Sequence, residues 1–221
     1  MVGRILKRAM LGMFVLTLIC GTLLAQSRPT IAHSTIHSAA NTPPEPAAAG
    51  LVTIYSNMFP VTDNVYNDTI GYYVTGPDNS ISGLGEQWIS IPFTPAANAH
   101  VEELQLAVGF VSETKRFDVT LASDNGGVVG NALGTKSVTQ IPEFGKCCKL
   151  VTVKFRAPGI AVTAGTQYWI VATPDDVFAP DFTAVWEFSN LDWVGYNDGQ
   201  AGWASSYTSY WPAGAVLGTT P

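Results

Sequence analysis

Apolar side chains alternate with polar or small ones over most of the chain from residue 51 onward. Leucine, valine and phenylalanine occupy every second position in residues 104–110, 117–121 and 151–155. A period of two places successive side chains on opposite faces, which is typical of strands with one buried face. A helix would instead show a period of 3.6, and residues 51–221 contain no convincing run of that kind.

Turn sequences separate these alternating runs. Residues 124–127 read Asp-Asn-Gly-Gly, and residues 197–199 read Asn-Asp-Gly. Asn and Gly accept the positive φ that tight hairpin turns require. Many short strands joined by such turns indicate a sandwich or barrel, and about 170 residues suffice for one core. We therefore predict an all-β domain over residues 51–221: a single jelly-roll-like antiparallel β-sandwich of about ten strands.

Residues 1–25 have the organisation of a secretory signal peptide. Three bases, Arg4, Lys7 and Arg8, precede sixteen residues without a charge, and Ala25 offers a small residue for cleavage. An uncleaved N-terminal anchor is the alternative, although a membrane span needs about 20 apolar residues. We expect a secreted protein, extracellular or periplasmic, with no membrane span after signal cleavage.

Residues 26–50 have the composition of a flexible linker. Four prolines lie among Ser, Thr and Ala without apolar periodicity, so the segment buries too little apolar surface to offset its ordering entropy. His33 and His37 are four residues apart, a spacing that holds a metal only on a helix. Their Pro-rich and Ser/Thr-rich surroundings favour solvated histidines instead.

The charge balance excludes some partners. Charged residues make up 13% of the chain, which is low for a soluble domain and argues against disorder and against a coiled coil. Removing the leader leaves eight Lys and Arg against seventeen Asp and Glu. An acidic surface repels polyanions, so we do not expect nucleic acid as a partner.

Three stretches resemble a known group of exported bacterial domains. They are residues 93–133, residues 144–150 (FGKCCKL) and residues 162–172 (VTAGTQYWIVA). Together they resemble the β-sandwich domains called choice-of-anchor domains, over roughly residues 51–217. The resemblance implies export and a jelly-roll-like sandwich, and it implies no established catalytic residues. This chain shows no C-terminal apolar span, so we do not expect the C-terminal anchor of that group.

Two adjacent cysteines, Cys147 and Cys148, remain after the leader is removed. Export favours their oxidation. A disulfide between neighbours is strained, because their Cα atoms lie about 3.8 Å apart across a trans peptide, below the usual spacing of about 4.4–6.8 Å. A vicinal disulfide, a reduced pair and bridges to another chain all remain open. Zinc is not expected, because the predicted domain holds a single histidine, His100.

The residue inventory does not indicate an enzyme. His100 is the only imidazole available for a catalytic triad, and no G-x-S-x-G sequence accompanies it. A glycosidase needs two carboxylates across a cleft, for which Glu102, Glu103 and Glu187 are the acids at hand. We interpret them as residues of solvated strand faces. P-loop and dinucleotide-binding sequences are also absent.

The C-terminal third is rich in aromatic residues. Residues 182–211 contain nine aromatic side chains in thirty positions, against 11% for the whole chain. Large rings usually fill a core, and alternation favours that role for Trp186 and Phe188. Four others lie among Gly, Ser and Thr and are candidates for an exposed surface that stacks a sugar: Trp203, Tyr207, Tyr210 and Trp211.

Clustered Asp and Asn side chains raise the possibility of structural calcium. Asp63, Asn64 and Asp68 lie close together in the sequence, as do Asp175 and Asp176. Sandwich domains often hold calcium through carboxylate and carbonyl oxygens, although turn-forming residues give the same pattern. No other cofactor is expected.

The sequence thus favours a non-catalytic exported binding module, with a glycan or an envelope component as its partner. The alternative is a structural or adhesive protein of the cell envelope or the extracellular space.

Overall fold

The structure is a computed structural model that describes residues 30–33, 50–58, 65–81, 83–146, 149–198 and 205–221. The side chains of residues 33, 190–198 and 205–210 are not among those described. The described residues form strands and no helix. The strands are β1 (Ile31–His33), β2 (Val52–Ser56), β3 (Asn67–Thr75), β4 (Ile89–Phe93), β5 (Ala99–Leu106), β6 (Val108–Ser112), β7 (Phe117–Asp124), β8 (Val129–Val138), β9 (Val151–Lys154), β10 (Ile160–Val162), β11 (Tyr168–Pro174), β12 (Thr183–Asp198), β13 (Ser205–Pro212) and β14 (Gly214–Thr219).

These strands form two antiparallel sheets. The nine-stranded sheet follows the order β1-β3-β12-β4-β11-β7-β8, and β6 and β13 also pair with β12. The five-stranded sheet follows the order β10-β5-β14-β2, and β9 also pairs with β5. The predicted all-β antiparallel sandwich is confirmed at this level, with more strands than the expected ten. The jelly-roll arrangement stays a prediction.

The main core contains apolar side chains from both sheets. Leu104 and Leu106 of β5 pack in one cluster with Ile89 and Ile91 of β4 and with Trp186 of β12, and all five are fully buried. The indole N–H of Trp186 donates to the carbonyl of Ala213 at 2.9 Å, so its one polar atom is satisfied. Trp186 and Phe188 are therefore core residues, as the alternation predicted.

The outer face of the five-stranded sheet is also covered. Ala215 and Leu217 alternate along β14 with Val216, which belongs to the main core. They pack in a second cluster with Val65 and Tyr66. On β5 of this sheet the polar side chains Glu103 and Gln105 are buried, whereas Thr152 and Lys154 of β9 are exposed.

The two sheets are joined at Glu187 of β12. Its backbone N–H donates to the carbonyl of Ala107, between β5 and β6, at 2.8 Å. Its carbonyl accepts from the N–H of Ala213, between β13 and β14, also at 2.8 Å. One residue thus links two of the points at which the chain passes from one sheet to the other.

The turn after β7 has the geometry expected from its sequence. Gly126 and Gly127 adopt φ of 70° and 90°, and Asp124 Oδ2 accepts from the N–H of Gly127 at 3.1 Å. Asp124 Oδ1 also accepts from Gln167 Nε2 at 2.7 Å and from Trp169 Nε1 at 2.8 Å. Two of the stretches that carry the family resemblance therefore touch, and Asp124 has a structural role there.

Part of the predicted linker is a strand. Residues Ile31–His33 pair antiparallel with β3 from Tyr72 to Ile70, and Ala32 is buried. Thr30 N–H donates to Gln87 Oε1 at 3.0 Å. The linker prediction for residues 26–50 was wrong for these residues, because the open edge of β3 supplies backbone partners that the sequence alone does not reveal. Among the described residues, no helix has the length and apolar character of a membrane span.

Candidate functional site

The structure describes one of the four predicted sugar-stacking side chains. Trp203 lies outside the described residues, and Tyr207 and Tyr210 belong to β13 in a part where side chains are not described. Trp211 is only partly exposed, and its indole Nε1 is buried without a hydrogen-bond partner among the described residues. The proposed four-residue surface therefore stays a prediction.

A different aromatic side chain is exposed in the loop between β11 and β12. Phe178 is 66% exposed and its neighbour Val177 is 79% exposed. Asp175 holds the loop, because its Oδ1 accepts from the N–H of Phe178 at 3.1 Å and its carbonyl accepts from the N–H of Ala179 at 2.7 Å. The turn therefore presents two apolar side chains to solvent from a fixed base.

Arg116, from the loop between β6 and β7, covers one face of this phenyl ring. Its guanidinium carbon lies 4.6 Å from the centre of the Phe178 ring, within cation–π range. Its Nε donates to Asp175 Oδ2 at 2.5 Å. We call Arg116, Asp175, Val177 and Phe178 the Phe178 platform. One carboxylate fixes both the loop and the arginine that contacts the ring.

The electrostatics of Asp175 agree with this arrangement. Burial alone would raise the pKa of Asp175, but the hydrogen bonds from Arg116 and from the N–H of Phe178, with the charge of Arg116, outweigh it. The pKa of Asp175 is therefore lowered. Asp175, which the sequence groups with Asp176 as a candidate calcium ligand, is engaged by Arg116 instead.

Further carboxylates lie beside the platform. Burial raises the pKa of Glu86, the nearby Asp176 carboxylate raises it further, and a hydrogen bond from Trp88 opposes both. Burial, followed by the carboxylates of Asp175 and Asp118, raises the pKa of Asp176. Asp176 belongs to the same loop as Phe178, and its charge acts on Glu86.

A polar groove lies between β8 and β9. Its volume is about 500 Å³, and its walls include Lys136, Thr139, Gln140, Thr152 and Lys154. A Cβ on Gly134, earlier on β8, would meet the side chains of Ile160 and Phe155 at 2.5 and 3.0 Å, so the two sheets approach closely there. The groove begins just beyond Gly134, along the later residues of β8.

Two of the three glycosidase candidates are buried, and Glu102 is partly exposed. Glu103 and Glu187 are 3% and 2% exposed, so the interpretation of solvated strand faces was wrong for both. Both are covered because residues from other segments pack beside them. Glu103 Oε1 accepts from Gln105 Nε2 at 2.8 Å, and its Oε2 lies 3.7 Å from Lys154 Nζ. Its charge is therefore compensated within the fold.

The remaining candidate sites fall partly outside the described residues. Cys147 and Cys148 lie outside them, as do Asp63 and Asn64, whereas Asp68 is described and buried. In the part of the chain that the structure describes, no three His, Cys, Asp or Glu side chains converge as a metal centre. No protein family, curated protein or solved structure matches this chain.

The sequence analysis missed the Phe178 platform. Residues 175–180 read Asp-Asp-Val-Phe-Ala-Pro, an apolar pair framed by acids and proline between two strands. That setting is a signal for a loop, yet it cannot distinguish an exposed ring from a buried one. The arrangement can bind an apolar surface on the ring while its flanking acids and arginine bind polar groups.

Proposed function

We propose that the chain is an exported, non-catalytic binding module that recognises carbohydrate at the Phe178 platform. The observation that carries this proposal is the 66% exposed ring of Phe178, held in place beneath a guanidinium. A single exposed apolar side chain is ordinary on a soluble surface, so the proposal depends on the ring being held by Arg116 and Asp175.

The chemistry of the platform suits a sugar ring. A pyranose presents a face of C–H groups and a rim of hydroxyls, so it requires an apolar plane with donors and acceptors beside it. Phe178 supplies the plane, since Arg116 contacts one side and the ring is still 66% exposed. Arg116 supplies donors, and Asp176 of the same loop supplies an acceptor.

The platform is also ordered before the ligand arrives. Asp175 accepts from both the backbone of Phe178 and the side chain of Arg116, so neither group has to be arranged during binding. Side chains already fixed in a binding geometry lose less entropy on association. This favours a binding surface over a loop that is exposed by chance.

The alternative function is structural or adhesive, and β8 favours it. This ten-residue strand is exposed over most of its length and pairs only with β7 among the described strands. A free strand edge carries unpaired N–H and C=O groups that another chain can use. Lys136 is the only charged residue of β8 and gives that edge limited protection.

A glycan array probed with the labelled mature chain tests the proposal. We expect binding to a restricted set of glycans, and the same set should be lost when Phe178→Ala is probed. If no glycan binds at high protein concentration, carbohydrate recognition is rejected and the adhesive alternative is favoured. If binding persists in Phe178→Ala, the platform is not the site.

A further inference from the structure

Two buried acids lie on neighbouring strands where β3 and β12 pair. Glu187 lies opposite Gly71, and Phe188 lies opposite Asn67, with a register shift between the two pairs. Asp68 lies within this shift, on the strand beside Glu187. Glu187 is 2% exposed and Asp68 is 7% exposed. The fold thus buries two acids together from positions 119 residues apart in the sequence.

The partners of these acids do not neutralise their charge. The backbone N–H of Gly145 donates a hydrogen bond to the Glu187 carboxylate, whereas Glu187 Oε1 is buried without a partner among the described residues. The three ion pairs among the described residues involve other acids. No cationic side chain in the described part of the chain therefore pairs with Asp68 or Glu187.

Tyr66 is the third polar side chain beside Asp68 and Glu187, and it does not compensate the negative charge of their carboxylates. Its hydroxyl donates to the carbonyl of Lys149 at 3.3 Å, so its proton goes to that carbonyl and not to either acid. Burial raises the pKa of Tyr66, and the charges of Glu187 and Asp68 raise it further. The phenol therefore stays neutral beside the two carboxylates.

Burying carboxylates without a counter-charge is costly, and two adjacent ones repel each other as well. A fold retains such a pair when the carboxylates share a proton or when they bind a cation. The unpartnered Oε1 of Glu187 is an oxygen left available for a ligand. The charges of Glu187, Asp68 and Tyr66 interact, and their oxygens are donors of the kind that hard cations select.

We propose that Asp68 and Glu187 bind a divalent cation, with calcium preferred over magnesium. Calcium accepts irregular oxygen coordination and takes carbonyl and water oxygens in addition to carboxylates, so two side chains from different strands suit it. Magnesium requires a near-ideal octahedron. The sequence had suggested Asp68 as a calcium ligand, and the structure adds Glu187 as its partner.

The position of the pair predicts what the cation does. The backbone of Glu187 joins the two sheets through Ala107 and Ala213, and Gly145 fixes the loop that leads from β8 towards β9. A cation bound here stabilises the register shift of β3 against β12, together with that junction. Its role is structural, and it does not depend on the carbohydrate proposal.

Thermal unfolding of the mature chain tests the proposal without any variant. Protein stripped with EDTA is melted at neutral pH with added CaCl2 or MgCl2. At a calcium concentration about 100 times the dissociation constant, we expect a melting temperature about 5–10 °C higher. Calorimetric titration should show one calcium ion per chain and weaker binding of magnesium.

Substitutions test whether Asp68 and Glu187 are the ligands of the cation. Asp68→Asn and Glu187→Gln should each abolish the calcium-dependent rise, whereas Glu103→Gln, a buried carboxylate already paired with Lys154, should retain it. Where a variant does not fold, the wild-type chain is titrated with terbium instead. Terbium bound at the site should luminesce on excitation of Tyr66, and added calcium should displace it and remove the signal. Absence of both a melting shift and a titration heat in the wild type overturns the proposal and assigns a shared proton to the pair.

Discussion

The guanidinium carbon of Arg116 lies 4.6 Å from the centre of the Phe178 ring, and its Nε donates to Asp175 at 2.5 Å. Asp175 also accepts from the backbone N–H of Phe178. Two side chains from two loops, Arg116 and Asp175, therefore hold one aromatic ring and leave much of it open to solvent. The carbohydrate proposal depends on this arrangement.

Replacing Arg116 tests the order of the platform. Arg116→Lys keeps the charge near Asp175 but loses the planar guanidinium that covers the ring. A cation–π contact at an exposed site contributes about 0.5–1 kcal/mol, so ligand affinity should fall about two- to fivefold. The melting temperature should change by less than about 4 °C. Calorimetric titration measures the affinity, and thermal unfolding measures the melting temperature. An unchanged affinity contradicts the role assigned to Arg116.

A matched pair of substitutions tests the packing of two tryptophans. Trp186→Phe removes an indole N–H that donates to Ala213 and leaves a gap in the core, so it should cost about 2–4 kcal/mol. Trp211→Phe removes an N–H that has no partner among the described residues and should cost less than about 1 kcal/mol. Urea unfolding of both variants checks this, and equal losses contradict it.

The pH dependence of stability should report Glu187. Burial raises the pKa of Glu187 well above its ordinary value, and the charge of Asp68 adds to this against the hydrogen bond from Gly145. The native state therefore keeps a proton that the unfolded chain loses above about pH 4.3. In EDTA, the free energy of unfolding should fall as the pH rises from that value through the native pKa.

Glu187→Gln cannot titrate, so its stability should fall less over the same pH range. The pKa values of Glu86 and Asp176 are also raised, so these two acids lower the free energy of unfolding of both proteins as the pH rises. The comparison therefore uses the difference in this pH dependence between the wild type and the variant. Identical slopes in urea unfolding at about pH 5 and about pH 7.5 contradict the burial of a titrating Glu187.

The cysteine pair stays a prediction from the sequence. We expect Cys147 and Cys148 of the exported protein to bridge each other, so the non-reduced peptide should be two hydrogens lighter and carry no free thiol. A loop this small gives little entropic stabilisation, and a double Ser replacement should cost little stability. Rapid alkylation of both cysteines in the native, non-reduced protein contradicts the bridge.

The local pattern predicted the strands and part of the core. The alternating runs correspond to β5, β6, β7 and β9, and Trp186 and Phe188 are buried as expected. Alternation succeeds here because the inward face of a strand is apolar whichever strand packs against it. It says less about the outward face, whose exposure depends on distant segments.

The errors of the sequence analysis concern residues whose exposure or pairing depends on distant segments. Glu187 was interpreted as solvated because alternation places it opposite the apolar face of β12, yet it lies beside Tyr66 and the loop at Gly145. Phe178 lies in a loop, where no periodicity tells an exposed ring from a buried one. Strand β1 depends on the open edge of β3, a property of the assembled sheet.

The affinity of Phe178→Ala for a glycan selected on the array tests the central claim most directly. Because the ring is 66% exposed, its removal should leave the melting temperature within about 2 °C of the wild type, with Val177→Ala as the matched control on the same loop. We predict that Phe178→Ala lowers the affinity at least about tenfold, or about 1.4 kcal/mol, and that Val177→Ala lowers it less. A folded Phe178→Ala variant that binds the glycan as tightly as the wild type contradicts the account.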